Sequence, residues 1–242
     1  MPEITSDFVL LGLVWYIVFL LSTTCHEAGH ALAAKWGGDL TAYHGGQVSL
    51  DPTPHVRREP FGMVLFPILS YLLGGWMMGW ASAPYDPYWA DRHPRRAAWM
   101  SLAGPAANFS LVILAGILIH IGRLAGIFDY PESADFSHVV HATSGGAAAG
   151  AAVFLSLMFS LNALLGTFNL IPVPPLDGFS GLGVILSEDA TRRLEGMRRS
   201  MQGFTFIGLL IAWKIFDPIF YPLFGMFLQL LYPTQNYGSH LF

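Results

Sequence analysis

Five long apolar runs constrain the fold of this chain more than any other feature of its sequence. They cover residues 8–36, 61–83, 97–121, 145–171 and 202–232. A helix needs about 20 apolar residues to cross the hydrocarbon core of a bilayer, and several of these runs reach that length. Hydrophobic residues make up 53% of the 242 residues and charged residues only 12%, whereas about a quarter of a soluble domain is charged. The sequence therefore predicts an all-α polytopic membrane protein.

Two of the runs contain residues that break helices. The run at 61–83 contains Pro67 and the pair Gly74-Gly75, so it fits either a full crossing or a re-entrant segment. Asp217-Pro218 divides the last run into one kinked helix or two short ones. We therefore expect about four to six transmembrane helices. In the loop after the first run, residues 45–50 predict a short β-strand or hairpin.

Residues 25–30, with the sequence CHEAGH, place an H-E-x-x-H pattern inside the first run. On a helix, His26 and His30 lie one turn apart on the same face, so both imidazoles can bind one metal ion. Glu27 lies beside them, where it can take a proton from a water molecule at the metal. Ionisable residues are costly to hold in an apolar span, which favours a functional site over two core histidines. Cys25 is the only cysteine, which excludes a site of several thiolates, and we expect one zinc ion per chain.

A catalytic zinc usually has three protein ligands, so a third must come from elsewhere in the chain. Asp177 is the best candidate, because it adjoins membrane-embedded sequence and follows a proline-rich segment at 172–175. Gly178 after it lets the backbone approach closely. The alternative interpretation is that Asp177 only caps the next segment.

If His26, His30 and Asp177 share one ion, the helices that carry them must end on the same side of the membrane. Two apolar runs lie between those helices, so one of the two does not cross. The interrupted run at 61–83 is the better candidate for re-entry. Re-entry also places ten basic residues on one face, which are Lys35, Arg57, Arg58, Arg92, Arg95, Arg96, Arg192, Arg193, Arg198 and Arg199. The positive-inside rule makes that face cytoplasmic.

Two asparagines within the apolar runs are candidate neutral hydrogen-bond donors. Asn108 lies in the run at 97–121, and Asn169 lies near the end of the run at 145–171. Either amide can bind the backbone of a substrate or an oxyanion that forms during peptide hydrolysis. The alternative for each is a hydrogen bond between helices.

Three motifs resemble those of the site-2 protease family of intramembrane zinc metalloproteases. Residues 26–30 resemble its zinc motif, residues 104–108 its G-P-x-x-N segment, and residues 169–178 its second metal motif, N-x-x-P-x-P-x-x-D-G. The resemblance covers roughly residues 8–183. It implies that His26, His30 and Asp177 are ligands, that Glu27 is the catalytic acid and base, and that Asn169 contacts the substrate or the oxyanion.

The resemblance extends to one branch of that family. Residues 48–52, His55 and residues 79–81 are similar to a compact branch without PDZ or CBS domains, and the loops here are too short for either domain. The family implies a transmembrane helix as the substrate, which must unwind locally before it is cleaved. The predicted strand at 45–50 offers an edge on which such a substrate could be held in extended form.

We therefore expect an intramembrane zinc endopeptidase that cleaves transmembrane segments of membrane proteins. Residues 1–242 are expected to form a single membrane-embedded protease domain, with a catalytic core at about 8–183 and a C-terminal helical segment at 201–232. The expected location is a bacterial or archaeal cell membrane, with the active site towards the cytoplasm. The expected partners are a transmembrane protein substrate and the lipid bilayer. No basic run indicates a nucleic acid, and the sequence carries no indication of an oligomeric state.

Two other classes of function are alternatives. A membrane zinc or ion transporter would carry ionisable residues on several helices along a path, whereas here they collect at one site. An inactive zinc-binding membrane scaffold would not need Glu27, which is intact.

Overall fold

The computed structural model describes residues 4–235 and residue 237, and most of the regular structure in this part of the chain is helical. The α-helices are α1 (Ser6–Gly37), α2 (Thr41–His44), α3 (Thr53–Arg58), α4 (Phe66–Gly74), α5 (Pro87–Arg92), α6 (Pro94–Leu124), α7 (Ala147–Asn169), α8 (Asp177–Gly181), α9 (Glu188–Ser200) and α10 (Thr205–Leu231). A π-helical turn, Phe61–Leu65, leads into α4, and 3-10 turns lie at Leu182–Val184 and Gln202–Phe204. Two short strands, β1 (Phe128–Asp129) and β2 (His141–Ala142), form an antiparallel pair.

Among the described residues, three helices are long and apolar enough to cross a membrane, and these are α1, α6 and α7. A fourth span is formed by α10 if its halves, Thr205–Phe216 and Pro218–Leu231, cross together with the bend of 54° between them. Pro218 explains the bend, because it lacks a backbone N–H and its ring displaces the preceding turn. The all-α polytopic fold is confirmed, and the predicted four to six spans are reached only if α10 crosses as one bent span.

The close approach of α1 and α6 depends on a glycine within the metal motif. A Cβ atom on Gly29 would lie 2.7 Å from the carbonyl oxygen of Ala103 and 3.2 Å from the Cβ atom of Ala107. The first of these separations is too short for a real contact, so only glycine lets the two backbones meet here. The second half of α1 therefore lies directly against the first half of α6.

The apolar segment before α5 folds back on itself, as a re-entrant segment would. Phe61–Gly74 is about 21 Å long at 1.5 Å per residue, which is short of the roughly 30 Å of hydrocarbon in a bilayer. Near its far end, the Tyr71 hydroxyl donates to the carbonyl of Phe8 at the start of α1 (2.7 Å). The chain then returns without helix, and the N–H of Trp80 donates to the carbonyl of Gly62 (3.1 Å). The segment therefore enters and leaves on the side where α1 ends and α6 begins, which we call the site side.

The strand predicted at 45–50 is not formed, and that prediction is wrong. Gly46 has φ +75°, which turns the chain sharply in the middle of the segment. No other strand lies beside it to accept a backbone ladder, since the two strands of the described chain pair only with each other. The segment is held instead by side chains: the buried Gln47 amide donates to the Ser82 carbonyl, and His55 Nε2–H donates to the Ser49 carbonyl.

The loop between α6 and α7 closes the opposite side of the bundle. The strands β1 and β2 lie at its two ends, and the N–H groups of Val139 and Val140 donate to Ser156 Oγ on α7. The Tyr232 hydroxyl donates to the carbonyl of Val139 (3.0 Å), which ties the loop to the residue that follows α10. The loop is therefore fixed against two helices of the bundle.

On the site side, α5 joins the end of α1 to α9. Trp89 Nε1–H donates to the carbonyl of Gly37, the last residue of α1 (3.1 Å). From α9, the guanidinium of Arg199 forms a two-pronged ion pair with Asp91, and Arg198 bonds to Glu195 and to the Tyr85 hydroxyl. The hydrogen bond from Arg199 holds the pKa of the Asp91 carboxyl below its ordinary value.

We expect the ion pair between Asp91 and Arg199 to stabilise the fold only above acidic pH. The carboxyl pKa is lowered on folding, so the stabilisation is present above the ordinary carboxyl pKa of about 4 and is lost as the pH falls through the folded value. The two side chains are 43% and 34% exposed, so Asp91→Asn should lower the free energy of unfolding at pH 7 by less than about 1 kcal/mol.

Thermal unfolding in detergent at pH 7 and at pH 3 measures this difference. The variant should unfold at a lower temperature than the wild type at pH 7, and this difference should be smaller at pH 3. Arg199→Gln should behave in the same way, while Arg193→Gln is the control, because Arg193 forms no ion pair with the described residues. A deficit of Asp91→Asn as large at pH 3 as at pH 7 would contradict the assignment.

Candidate metal centre

The second half of α1 carries the predicted metal motif and buries it inside the bundle. His26, Glu27 and His30 are each less than 9% exposed, although the helix is otherwise apolar. The two imidazole rings lie edge to face with their centroids 4.7 Å apart. A single helical turn therefore holds two histidines with their Nε2 atoms directed at one place.

Asp177, which follows His26 by 151 residues, lies at the same place. Its Oδ2 atom lies 3.1 Å from Nε2 of His26 and 3.3 Å from Nε2 of His30. The two Nε2 atoms are 3.1 Å apart. The three residues form a group of ligand-type atoms that could hold a metal ion. The structure therefore brings together the three residues that the sequence predicts as metal ligands.

The hydrogen bonds of the two rings determine what their Nε2 atoms offer. His30 Nδ1 lies 2.8 Å from the carbonyl oxygen of Met100, which can only accept, so Nδ1 carries the proton. His26 Nδ1 lies 2.6 Å from Oδ1 of Asn108, which also accepts. In the neutral rings both Nε2 atoms then carry lone pairs. Two nitrogen lone pairs and a carboxylate oxygen meet within 3.3 Å, which is unfavourable unless a cation or protons lie between them.

The chain that follows α7 positions Asp177. Prolines at 172, 174 and 175 exclude a continued helix, so the segment turns back towards α1 before α8 begins. A Cβ atom on Gly178 would lie 2.1 Å from the carbonyl oxygen of Leu170, so this tight turn requires glycine. Burial by itself raises the pKa of the Asp177 carboxyl, but the positive charge of His30 and His26, when these rings are protonated, outweighs it and holds that pKa below its ordinary value.

Gly104 on α6 faces the point at which the three ligand-type atoms meet. A Cβ atom there would lie 2.3 Å from Nε2 of His30 and 2.5 Å from Nε2 of His26. No other residue type leaves this space open. The glycine of the G-P-x-x-N segment is therefore explained by the room that an ion at the centre needs.

The other predicted site residues lie in different surroundings. The buried Glu27 carboxylate receives no hydrogen bond from any described residue. Asn169, at the end of α7, donates to the carbonyl of Leu165 within its own helix (3.0 Å), and no hydrogen bond joins it to the metal group in the described chain. Asn108 is fully buried, and its Nδ2 group donates to Oδ1 of Asn162 and to the carbonyl of Ser22.

Sequence reasoning missed three groups that support the centre: the Met100 carbonyl, Ser22 and Asn162. Every residue has a backbone carbonyl, so nothing in the sequence distinguishes Met100 as a partner of His30. Asn162 did carry one, because an amide within an apolar span is costly unless it has partners. Its partners, however, are set by the packing of three helices.

Comparison with known proteins agrees with this site. The family model described as "Peptidase family M50" matches residues 14–213. "Putative zinc metalloprotease YwhC" of Bacillus subtilis is 31% identical over 70% of this chain and 68% of its own length. Two proteins with the name "Putative zinc metalloprotease Rip2" also match. The one from Mycolicibacterium smegmatis is 28% identical over 89% of this chain and 71% of its own length. The one from Mycobacterium tuberculosis H37Rv is 34% identical over 77% and 61%. No solved structure matches the chain significantly.

We expect Gly104→Ala to abolish or strongly weaken metal binding, because its methyl group would occupy the space between the two Nε2 atoms. The matched control is Gly116→Ala on the same helix, where the nearest atom to a Cβ is a Leu231 methyl at an ordinary 3.4 Å. Metal content of the purified proteins, measured by elemental analysis, separates the two. Equal metal content in both variants would show that the ion does not lie beside Gly104.

Proposed function

The chain belongs to peptidase family M50, and from this premise we propose that it is an intramembrane zinc endopeptidase that cleaves transmembrane segments of membrane proteins. The observation that carries the proposal is the meeting of His26 and His30, on a helix that is apolar enough to span a membrane and also carries Glu27, with Asp177 from the segment after α7. A polar group of this kind is costly in a membrane unless it has a function.

We propose one zinc ion per chain, held by Nε2 of His26, Nε2 of His30 and Oδ2 of Asp177. Tetrahedral zinc with bonds of about 2.0–2.1 Å has ligand atoms about 3.3–3.4 Å apart, and the observed separations are 3.1–3.3 Å. Two imidazoles and a carboxylate are a donor set that zinc accepts, and three protein ligands leave a position open for water. Bound zinc would lower the pKa of a water molecule and polarise a peptide carbonyl.

Glu27 is the proposed acid and base. Glu27 is adjacent to His26 on α1 and is buried with it, and no hydrogen bond from a described residue occupies its carboxylate. It is therefore free to accept a proton from the attacking water and to return it to the amine that leaves.

The two asparagines have different proposed roles. Asn169 remains the proposed contact for the substrate backbone or the oxyanion, since it is half-buried at the end of α7, just before the segment that leads to Asp177. The Asn108 amide is fully engaged by His26, Asn162 and Ser22. We therefore propose that Asn108 orients His26 and does not bind the oxyanion.

The orientation follows from charge. The ten basic residues that share one side in the sequence analysis lie in or beside the elements of the site side, whereas Arg123 lies at the opposite end of α6. From the positive-inside rule, we propose that the site side faces the cytoplasm of a bacterial or archaeal cell. We propose that residues 1–242 form one membrane-embedded domain with its catalytic core at about 8–183, and that 201–232 is a C-terminal helical segment.

The alternative functions are a zinc or ion transporter and an inactive zinc-binding scaffold. A transport path needs further ionisable residues across the membrane, but among the described residues His26, His30 and Asp177 are the one group arranged to hold a metal. A scaffold would have no use for a buried carboxylate without partners beside the ligands. Both observations favour the peptidase.

The variants Glu27→Gln and Asp177→Ala separate these functions. With Glu27→Gln, cleavage of a panel of single-span model proteins in proteoliposomes should fall at least about 100-fold, while zinc content stays near that of the wild type. Asp177→Ala should lose both cleavage and zinc. Zinc flux into the same vesicles reports transport. Full cleavage by Glu27→Gln would remove Glu27 from the mechanism, and zinc flux that Asp177→Ala abolishes would favour the transporter.

The orientation can be tested with single cysteines. Ser133→Cys lies in the exposed loop opposite the site, and Ser200→Cys lies at the exposed end of α9 on the site side. A maleimide that does not cross membranes should label Ser133→Cys in intact cells and Ser200→Cys only after lysis. The unmodified chain, with Cys25 alone, gives the background. The reverse labelling pattern would place the site outside the cytoplasm.

A further inference from the structure

We propose that Asn162 is a positioning residue that fixes the orientation and tautomer of His26 through Asn108, an inference that rests on the metal centre proposed above. Asn162 lies in the middle of α7, and neither its side chain nor that of Asn108 is accessible to solvent. It does not touch His26 itself. The two amides and the imidazole form a chain of hydrogen bonds that runs from α7 through α6 to α1.

The direction of this series of hydrogen bonds is set at Asn162. Its Nδ2 group donates to the carbonyl of Met158 (2.8 Å) and to Ser22 Oγ (2.9 Å). The Met158 carbonyl can only accept, so the amide nitrogen must face it, and Oδ1 must face the other way. Oδ1 then accepts from Nδ2 of Asn108 (2.8 Å).

The orientation of Asn108 in turn determines which ring nitrogen of His26 carries the proton. The Nδ2 group of Asn108 faces Asn162 and the Ser22 carbonyl (3.4 Å), so its Oδ1 faces Nδ1 of His26 (2.6 Å). An acceptor at that position requires the proton on Nδ1 and leaves the lone pair on Nε2, where a metal ion can bind it. If Asn108 were reversed, it would present an N–H to Nδ1, and the proton would move to Nε2, which then could not bind metal.

Asn162 supplies the shorter of the two contacts that oppose that reversal. Without its Oδ1 atom, the Asn108 amide nitrogen keeps only the longer bond to the Ser22 carbonyl (3.4 Å), so the preference for the correct orientation becomes smaller. In a fully buried series of polar groups each missing partner is costly, and the correct orientation is held most strongly when every member is satisfied.

A residue that merely packs α7 against its neighbours would not carry this directional information. The two interpretations differ in what repairs the defect. An aspartate at position 108 offers an acceptor oxygen to His26 in either orientation of its carboxyl group. It should therefore hold the His26 tautomer without help from Asn162, but it would not repair poor helix packing.

The experiment measures zinc affinity of the purified chain by competition with a chromophoric chelator. Asn162→Leu, which is close in size and lacks the acceptor, should weaken zinc binding about 10–100-fold, as is usual for loss of a group that orients a metal ligand. Ser160→Ala is the matched control, since Ser160 is equally buried on the same helix and its hydroxyl has no partner in the described chain. The control should bind zinc as the wild type does.

The double variant Asn108→Asp with Asn162→Leu is the decisive arm. It should bind zinc within about threefold of Asn108→Asp alone, and the absorption spectrum of the Co²⁺-loaded protein should be the same for these two. Asn162→Asp keeps the size and, in the protonated form that burial favours, both an O–H donor for the Met158 carbonyl and an acceptor for Asn108, so it should bind zinc almost as the wild type does. Loss of zinc binding in Asn162→Asp would overturn the proposal even if Asn162→Leu does not fold.

Unchanged zinc affinity in Asn162→Leu, or a loss that Asn108→Asp does not repair, would assign Asn162 to packing alone and overturn the proposal. The proposed function would stand in either case, provided that the wild type binds zinc and Asp177→Ala does not. A wild-type chain that binds no zinc would overturn both.

Discussion

The structure depends on the meeting of three electron-pair donors inside an apolar bundle. Nε2 of His26, Nε2 of His30 and Oδ2 of Asp177 lie 3.1–3.3 Å apart, a spacing that is unfavourable without a positive charge between them and costly where water is scarce. The surrounding residues leave space at this place and orient the two imidazole rings. Gly104 leaves it open, and Asn108 and the Met100 carbonyl hold the protons of both rings on the far nitrogens.

The topology of the chain follows from the meeting of these three ligand-type atoms. His26 and Asp177 can meet only if α1 and α7 end on one side, which leaves a single full crossing, α6, between them. The apolar segment at 61–74 must then return, and the hydrogen bond of Trp80 to Gly62 marks that return. A metal group whose members are 151 residues apart along the chain thus decides how many times the polypeptide crosses.

The sequence predicted the elements whose signals are local. Apolar length located α1, α6 and α7, and the spacing of His26 and His30 located the pair of histidines. The strand at 45–50 was wrong because a strand exists only with a neighbour to pair with, and the turn at Gly46 prevents it. The supporting roles of Met100 and Asn162 were missed for a related reason. A hydrogen bond between helices depends on which faces meet, and hydrophobic periodicity does not encode that at the level of single atoms.

The centre also requires that distant parts of the chain be assembled. Asp177 is followed by α8 and α9, and α9 is joined through Arg199 and Asp91 to α5, whose Trp89 bonds to the last residue of α1. This connection joins the helix that carries both histidines to the segment that carries the aspartate. The ion pair in this connection is partly exposed and therefore individually weak, so its loss should loosen the connection only slightly. The buried amides act differently, because a single reversed group there changes the atom that His26 offers. Sensitivity of the metal site should therefore follow burial and direction of hydrogen bonding rather than distance along the chain.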